Sequence, residues 1–243
     1  VDDDALLAVL LEAAGAVRVA LDDLDDWGPS GRRPGQYKLD LAADAAALPI
    51  LHGSGLAVLS EESGHSGDGD LLCVLDPVDG STNAHRGIGF WSTSLCVLDA
   101  EGPRVAAVVD HGGGGRRFTA VRGGGAWVDG RPVRPSGCTR LDQAVVGISG
   151  LPGRLPGWAQ FRALGSASLE LCAVAEGSLD AYYIPHGAGL YGWDYLGGLL
   201  LCWEAGAVVE ENTGADLVRR DDQRRRPLAA ATDELVKALR ATL

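Results

Sequence analysis

Two hydrophobic rhythms alternate along the chain, and each change of rhythm marks a change of element. From residue 2 to 26, Leu6, Leu7, Val9, Leu10, Ala13, Ala14, Val17 and Leu21 recur at three- and four-residue intervals, the spacing of one helix face. Asp2, Asp3 and Asp4 precede that stripe and suit the positive end of a helix dipole. The breaker-rich "DWGPSGRRPGQ" (26–36) reads as a mobile loop. "LDLAADAAALPIL" returns to the helical period and is expected to stop near Pro49, which lacks an N–H for the helix ladder. "LAVLSEESG" reads as a short strand running into an acidic end.

From 71 to 128 the segments shorten to "LLCVLD", "WSTSLCVLD", "RVAAVVD" and "RRFTAVRGGGAWVDG", each a strand or hairpin bounded by turn residues. "QAVVGIS" is a further strand and "LPGRLPGW" a loop; "SASLELCAVAEGSLDAYYI" and "WDYLGGLLLCWEAGAVVEE" each read as helix, glycine stop, strand. "DELVKALRATL" is a final helix. Trp91, Trp127 and Trp203 are taken as core or hairpin residues, and the basic run "RRDDQRRRP" (219–227) as a solvated loop. Strand-rich and helix-rich stretches interleave, which predicts one α+β/α/β body.

Composition narrows the function classes. The 243 residues suffice for a sizeable core, with 33 acidic against 21 basic side chains and a net charge of −12. That balance opposes a general nucleic-acid binder. It also repels a phosphorylated substrate unless cations or N–H groups intervene. The five cysteines lack C-x-x-C spacing and read as reduced core thiols. No apolar run reaches membrane-spanning length, and the acidic opening lacks the basic residues of a signal peptide. A cytoplasmic protein is expected.

The informative stretch is "LCVLDPVDGSTNAHRG" (72–87), where a buried strand ends in Asp76 and Asp79. Unpaired charge is costly there. Asp79 can be read as a cap for the following turn, Glu61-Glu62 as a solvated loop, and Asp194 as the cap of a helix from Tyr195. Taken together, these acids suggest a site for a hard cation, with the Val78 carbonyl as a further oxygen. An EF-hand is excluded, because Val78, Gly80 and Gly87 stand where oxygen ligands are needed. The Gly80-Ser81-Thr82-Asn83 turn offers backbone N–H groups to an anion. A cation site beside an N–H nest is the layout of metal-assisted phosphate ester hydrolysis.

"LSEES", "LDPVDGSTN" and "WDYLGGLLLCWEAGAVV" resemble, in order and spacing, the signature segments of the inositol monophosphatase family, Mg²⁺-dependent and lithium-sensitive sugar phosphatases. The likeness runs from about residue 38 onward. It implies an αβαβα sandwich forming a single domain over 1–243, with halves at about 1–140 and 141–243. It implies two or three Mg²⁺ ions on Glu61, Asp76, the Val78 carbonyl, Asp79 and Asp194. Gly80 and Ser81 would meet the phosphate, Ser81 and Glu61 would orient and deprotonate a water, and Thr82 would support them, with no covalent intermediate. Gly165, Ser166 and Ala167 would face substrate hydroxyls; "GSAS" also reads as a helix start packed on a sheet. His186 stands where many members carry an acid that binds inositol. Asp40 or Asp44 is a third-metal candidate, though the helix-surface reading is preferred for both. The implied substrate is a small polyol or sugar phosphate, inositol-1-phosphate first. Histidinol phosphate, fructose-1,6-bisphosphate and 3′-phosphoadenosine phosphates belong to the same chemistry, and a regulatory protein-interaction role is the alternative of another class. A homodimer is implied as well.

Overall fold

Asp2 accepts the Ala5 N–H at 2.7 Å and so starts helix α1 (Asp3–Asp22), whose buried face is Leu6, Leu10, Ala13, Ala14, Val17 and Leu21. The structure is a computed structural model that describes residues 1–153, 156–185, 187 and 189–242. Helix α2 (Lys38–Gly53) follows the 26–36 loop and continues through Pro49 rather than stopping there. Proline in a helix interior costs about 3 kcal/mol. Leu51, fully buried two residues later, recovers about 2 kcal/mol of that, and Ala47 before it packs in the same core.

The described residues form two sheets. The first contains β1 (Ala57–Ser60), β2 (Gly64–Ser66), β3 (Leu72–Asp79), β4 (Ser92–Asp99), β5 (Gly102–Asp110), β6 (Arg117–Val121), β7 (Gly125–Val128) and β8 (Arg131–Pro132), with the short helix α3 (Ser81–Arg86) after β3. Their spatial order is β2-β1-β3-β4-β5-β6-β7-β8, with β1 and β3 parallel and the remaining neighbours antiparallel. The second contains β9 (Val145–Ile148), β10 (Gln160–Arg162), β11 (Ala181–Tyr183), β12 (Val208–Glu211) and β13 (Pro227–Ala230), in the order β10-β9-β11-β13-β12. Helices α4 (Ala167–Ala175), α5 (Gly192–Ala205) and α6 (Asp233–Arg240) complete the chain.

Alternation along the strands sorts the side chains into layers. Val58, Cys73, Leu75, Leu95, Val97, Val105 and Ala107 pack against α1 and α2. Leu59, Leu72, Val74, Cys96, Leu98, Ala106 and Val108 share a core with α4, α5 and the Tyr182–Ala229 face of the second sheet. Val146, Ile148, Ala181, Tyr183 and Ala230 pack against Leu235, Val236 and Leu239 of α6. The result is the five-layer αβαβα sandwich. Both faces of the first sheet are covered, so its central strands are nearly continuous apolar runs. Helix α5 sits close in the middle layer: a Cβ at Gly198 would lie 2.5 Å from Leu171 Cβ.

Trp91 is buried and Trp127 lies in the hairpin, as expected, but Trp203, near the C-terminal end of α5, is 40% exposed. Cys73, Cys96, Cys172 and Cys202 are buried free thiols, and Cys138 is half-buried and free. No helix among the described residues is long and apolar enough to cross a membrane.

Candidate active site

Strand β3 carries the site through an irregularity that Pro77 helps create. Asp76 pairs with Ser94 of β4 and Asp79 with Ser92, so three steps on β3 match two on β4. Pro77 has no N–H for the ladder, and the Val78 N–H turns instead to Asp76 Oδ1 at 3.0 Å. Residues three apart in a regular strand face opposite ways. This bulge restores parity, so both aspartates share the face of Ser92 and Ser94, towards α4 and α5.

Other segments close on that face. Parallel β1 ends beside β3, and the Glu61 N–H donates to the Leu75 carbonyl at 3.1 Å, which sets Glu61 next to Asp76. Asp194 lies in the first turn of α5, where its Oδ2 accepts the Tyr191 N–H at 2.8 Å. It is therefore not the cap of a helix beginning at Tyr195; the helix begins at Gly192, and Asp194 reaches back to the residue before it. Glu61, Asp76 and Asp194 each present an oxygen within 4.8 Å of the others.

Asp79 faces a different set of partners. Its Oδ2 accepts the Ser166 hydroxyl at 2.6 Å and the Ser168 N–H at 2.7 Å, together with the Ser168 hydroxyl. Ser168 Oγ lies 2.8 Å from Ser92 Oγ. Asp79 thus caps α4, from the other sheet, rather than the turn that follows it. That turn starts at Gly80, whose φ of 96° favours glycine. A Cβ there would lie 3.1 Å from the Gly165 and Phe90 carbonyl oxygens. Asn83 Nδ2 ties the turn to the Leu164 carbonyl at 2.7 Å. Gly165, Ser166 and Ala167 are thereby brought up behind Asp79, with Ser166 wholly buried.

Burial and mutual repulsion hold these carboxyls against ionisation. Burial, then Asp194 and the neighbouring acids, pushes Glu61 up to about 8. Burial and Asp79 push Asp194 up to about 7, against the Tyr191 N–H and Arg224. Asp76 is raised well above the carboxylate range by burial, then Glu61, Asp79 and Asp194. Burial also raises Asp79, with the serine hydroxyls opposing. Such a set, all oxygen and short of positive charge, fits a hard divalent cation.

Asp40 and Asp44 do not lie on a helix surface: both are buried, because α2 turns that face towards β1 and the site. Asp40 Oδ2 accepts the Tyr37 N–H at 2.8 Å, while its buried Oδ1 has no partner among the described residues. Burial pushes Asp40 up to about 6. Asp44 accepts the Ser60 hydroxyl. Glu62 turns away from Glu61 to Arg33, at 2.6 Å, and Gln36. Thr82 is exposed, with Oγ1 3.2 Å from the Tyr37 hydroxyl. His186 lies outside the described residues.

The family model for the inositol monophosphatase family matches residues 51–243. The chain belongs to this family. It is 32% identical over 245 residues to the fructose-1,6-bisphosphatase/inositol-1-monophosphatase of Archaeoglobus fulgidus, covering 96% of each chain. It is 33% identical over 195 residues to the Nus factor SuhB of Salmonella typhimurium, covering 72% of this chain and 71% of that protein. A Pyrococcus horikoshii protein with similarities to inositol-1 monophosphatase superposes with a TM-score of 0.88 at 21% identity, covering 100% of this chain and 99% of the other. That likeness concerns the fold alone.

In this inositol monophosphatase family member, Glu61 and Ser81 open on a pocket of about 490 Å³, lined also by Arg33, Asp40, Glu62, Tyr191, Trp193, Asp222 and Arg224. Gly165, Ser166 and Ala167 are not among its lining residues. The basic run, read from sequence as a solvated loop, instead delivers Arg224 to the pocket rim. Ser92 and Ser168 also escaped the sequence reading. Their signal was available as polar residues inside apolar runs, "WSTSLCV" and "GSASLEL", where a buried hydroxyl needs a partner.

Proposed function

We propose that this protein is a Mg²⁺-dependent phosphomonoesterase acting on a small polyol or sugar phosphate, with inositol-1-phosphate the first substrate to test. The observation that carries the reading is the convergence of Glu61, Asp76 and Asp194, from three separate segments, to within 4.8 Å. These three, with Asp79 and the Val78 carbonyl, would hold the ions. Asp40, with its unpartnered buried oxygen, suits a third ion better than Asp44, whose carboxylate is taken up by Ser60. Bound Mg²⁺ supplies charge that makes water acidic and offsets the charge of the ester and of the departing alkoxide.

The chain's own groups define the rest. Gly80 and Ser81, in the turn beside Glu61, would take the phosphate oxygens. Glu61 would orient the attacking water and accept its proton, with Ser81 alongside and Thr82 in support. Ser81 donates its proton to the Val78 carbonyl at 2.9 Å, with the Asp40 carboxyl also close enough to feel its hydroxyl. A hydroxyl committed to a carbonyl is a weak nucleophile, which favours attack by water without a covalent intermediate. Gly165, Ser166 and Ala167 would act mainly by framing Asp79. Lithium inhibition, a cytoplasmic location, a single domain and a homodimer belong to the same proposal.

The name of the Salmonella relative, a Nus factor, favours a second reading, a regulatory role through protein contacts. Phosphate release from inositol-1-phosphate, histidinol phosphate, fructose-1,6-bisphosphate and 3′-phosphoadenosine phosphate, with and without Mg²⁺, separates the two. Release that depends on Mg²⁺ supports the phosphatase; no release from any of the panel favours the regulatory role.

A further inference from the structure

On the α1 side of the first sheet, a cavity of about 430 Å³ lies between α1 and the turn that joins β5 to β6. Leu11, Ala14 and Val109 supply its apolar surface, and Arg18 and Arg117 its charge; no carboxylate of the described residues lines it. Gly15, in the middle of the 20-residue α1, is part of the same lining. Glycine is the poorest helix former after proline, and a Cβ at Gly15 would meet nothing within 4 Å. Packing therefore does not call for glycine there, and its bare backbone leaves the cavity open.

The two arginines differ in their commitments. Arg18 is steadied by Asp22, to which its Nε donates at 3.0 Å, and its Nη1 reaches the His111 carbonyl at 3.5 Å. Arg117 gives its backbone N–H to Asp129 at 3.0 Å, while its guanidinium has no hydrogen bond or ion pair among the described residues. Arg116 beside it is by contrast paired with Glu176. Two guanidiniums against one paired carboxylate make this a positive spot on a chain of net charge −12, and an arginine fork suits a carboxylate, sulfonate or phosphate head.

The cavity also adjoins a line of contacts to the β3 bulge. His111 lines it, with its ring against Trp91 at 5.3 Å between centroids. The buried Thr93 hydroxyl donates to the Pro77 carbonyl at 2.8 Å and lies 3.0 Å from His111 Nε2. A hydroxyl has one proton to give, so His111 donates to Thr93. Pro77 stands inside the bulge that turns Asp76 and Asp79 to one face. A ligand that shifts or clamps His111 therefore acts on the segment that aims both aspartates.

We propose that this cavity binds a small organic anion with an apolar body, and that its occupancy changes the Mg²⁺ affinity of the acidic cluster through His111, Thr93 and Pro77. The coupling rests on the ion-holding role proposed above; the binding does not. The probe is 1-anilinonaphthalene-8-sulfonate, followed by fluorescence, beside N-phenyl-1-naphthylamine, which has the same rings without the sulfonate. Arg117→Gln is expected to raise the Kd of the sulfonate by about tenfold and leave that of the amine within about twofold. Gly15→Leu fills the cavity and should weaken both by about tenfold or more, while melting no lower than the unmodified protein, because leucine is the better helix former. Arg140→Gln, in a surface pair with Asp142, is the control and should change neither. Calorimetric Mg²⁺ titrations with and without saturating sulfonate should differ in affinity by about fivefold or more. Thr93→Val should bind the sulfonate yet lose that difference, and Thr93→Ser, which keeps the hydroxyl, should retain it. Sulfonate binding that ignores both Arg117→Gln and Gly15→Leu places the dye elsewhere and overturns the proposal, as does binding in the cavity that leaves Mg²⁺ affinity unchanged. Absence of saturable binding, with a sedimentation coefficient that Gly15→Leu shifts, would assign this face to a second copy of the chain and overturn it as well. An unmodified protein that takes up no Mg²⁺ refutes the ion-holding reading and with it the coupling, a result distinguishable from Mg²⁺ binding that the sulfonate leaves unmoved.

Discussion

Without divalent cations, raising the pH through neutrality should loosen the fold, and Mg²⁺ should reverse the loss. Glu61 has an ordinary value of 4.5 and sits at about 8 in the folded chain. The folded state therefore keeps a proton that the unfolded chain gives up, and stability declines as pH rises between those values. Moving one carboxyl that far corresponds to about 5 kcal/mol in all. Protonating Glu61 also relieves Asp194, so the pair is worth about this amount rather than a sum. His111 works in the opposite sense at lower pH: burial holds it at about 4 instead of 6.5, so stability rises with pH between those values. The window above 6.5 is thus the informative one. From there to about 8, Glu61 alone contributes a loss of about 2 kcal/mol, or about 4–8 °C in thermal midpoint for a chain of this size. Glu170, buried beneath residue 164 and also pushed up to about 8, adds a decline of its own. Circular-dichroism melts across this window, in chelator and in millimolar Mg²⁺, separate the two contributions, since only the cluster's share should respond to the cation. A midpoint in chelator that stays flat or rises with pH, or one that Mg²⁺ leaves unchanged, would refute the reasoning.

Asp79 should divide into two phenotypes. Asp79→Ala strands the Ser166 and Ser168 donors and is expected to destabilise the fold by about 2–4 kcal/mol, whereas Asp79→Asn keeps an acceptor oxygen and should melt close to the unmodified protein; both should lose Mg²⁺-dependent phosphate release, and near-normal turnover in Asp79→Asn would remove Asp79 from the ion-holding set. Ser81→Ala should slow turnover by about 10- to 100-fold without abolishing it, because the hydroxyl positions rather than reacts; a dead enzyme with intact Mg²⁺ affinity by calorimetry would point to a covalent role instead.

The strands of the first sheet were legible because both faces are buried, so the "LCVL" of β3 (72–75) and the "LCVL" of β4 (95–98) are apolar without interruption. The helical stripe of α1 was legible for the converse reason, one face buried and one wet. Where a residue's fate is decided by a distant segment, the local pattern misleads. Pro49 reads as a stop, yet the core around Leu51 carries the helix past it. Asp40 and Asp44 read as surface acids of a helix, yet that face looks into the site. Asp79 reads as a cap for its own turn, while its partners lie nearly ninety residues further on. Arg224 sits in a run of five arginines within eight residues, and nothing local distinguishes it from Arg219 or Arg220; the placement of its guanidinium over the Tyr191 ring does.

The cap that Asp79 places on α4 also divides the site into a part that cannot drift and a part that can. Any change that moved the start of α4 would drag the Asp79 carboxylate with it, because three donors from Ser166 and Ser168 converge on one of its oxygens. The 165–168 segment is therefore poor ground for acquiring a new preference. On the opposite rim, the Tyr191 N–H is bound to Asp194 and Arg33 to the Glu61 carbonyl at 3.3 Å, but the Asp222 and Arg224 side chains make no hydrogen bond to the acidic cluster among the described residues. A duplicated copy of this chain has room there to exchange one substrate for another while its chemistry stays still.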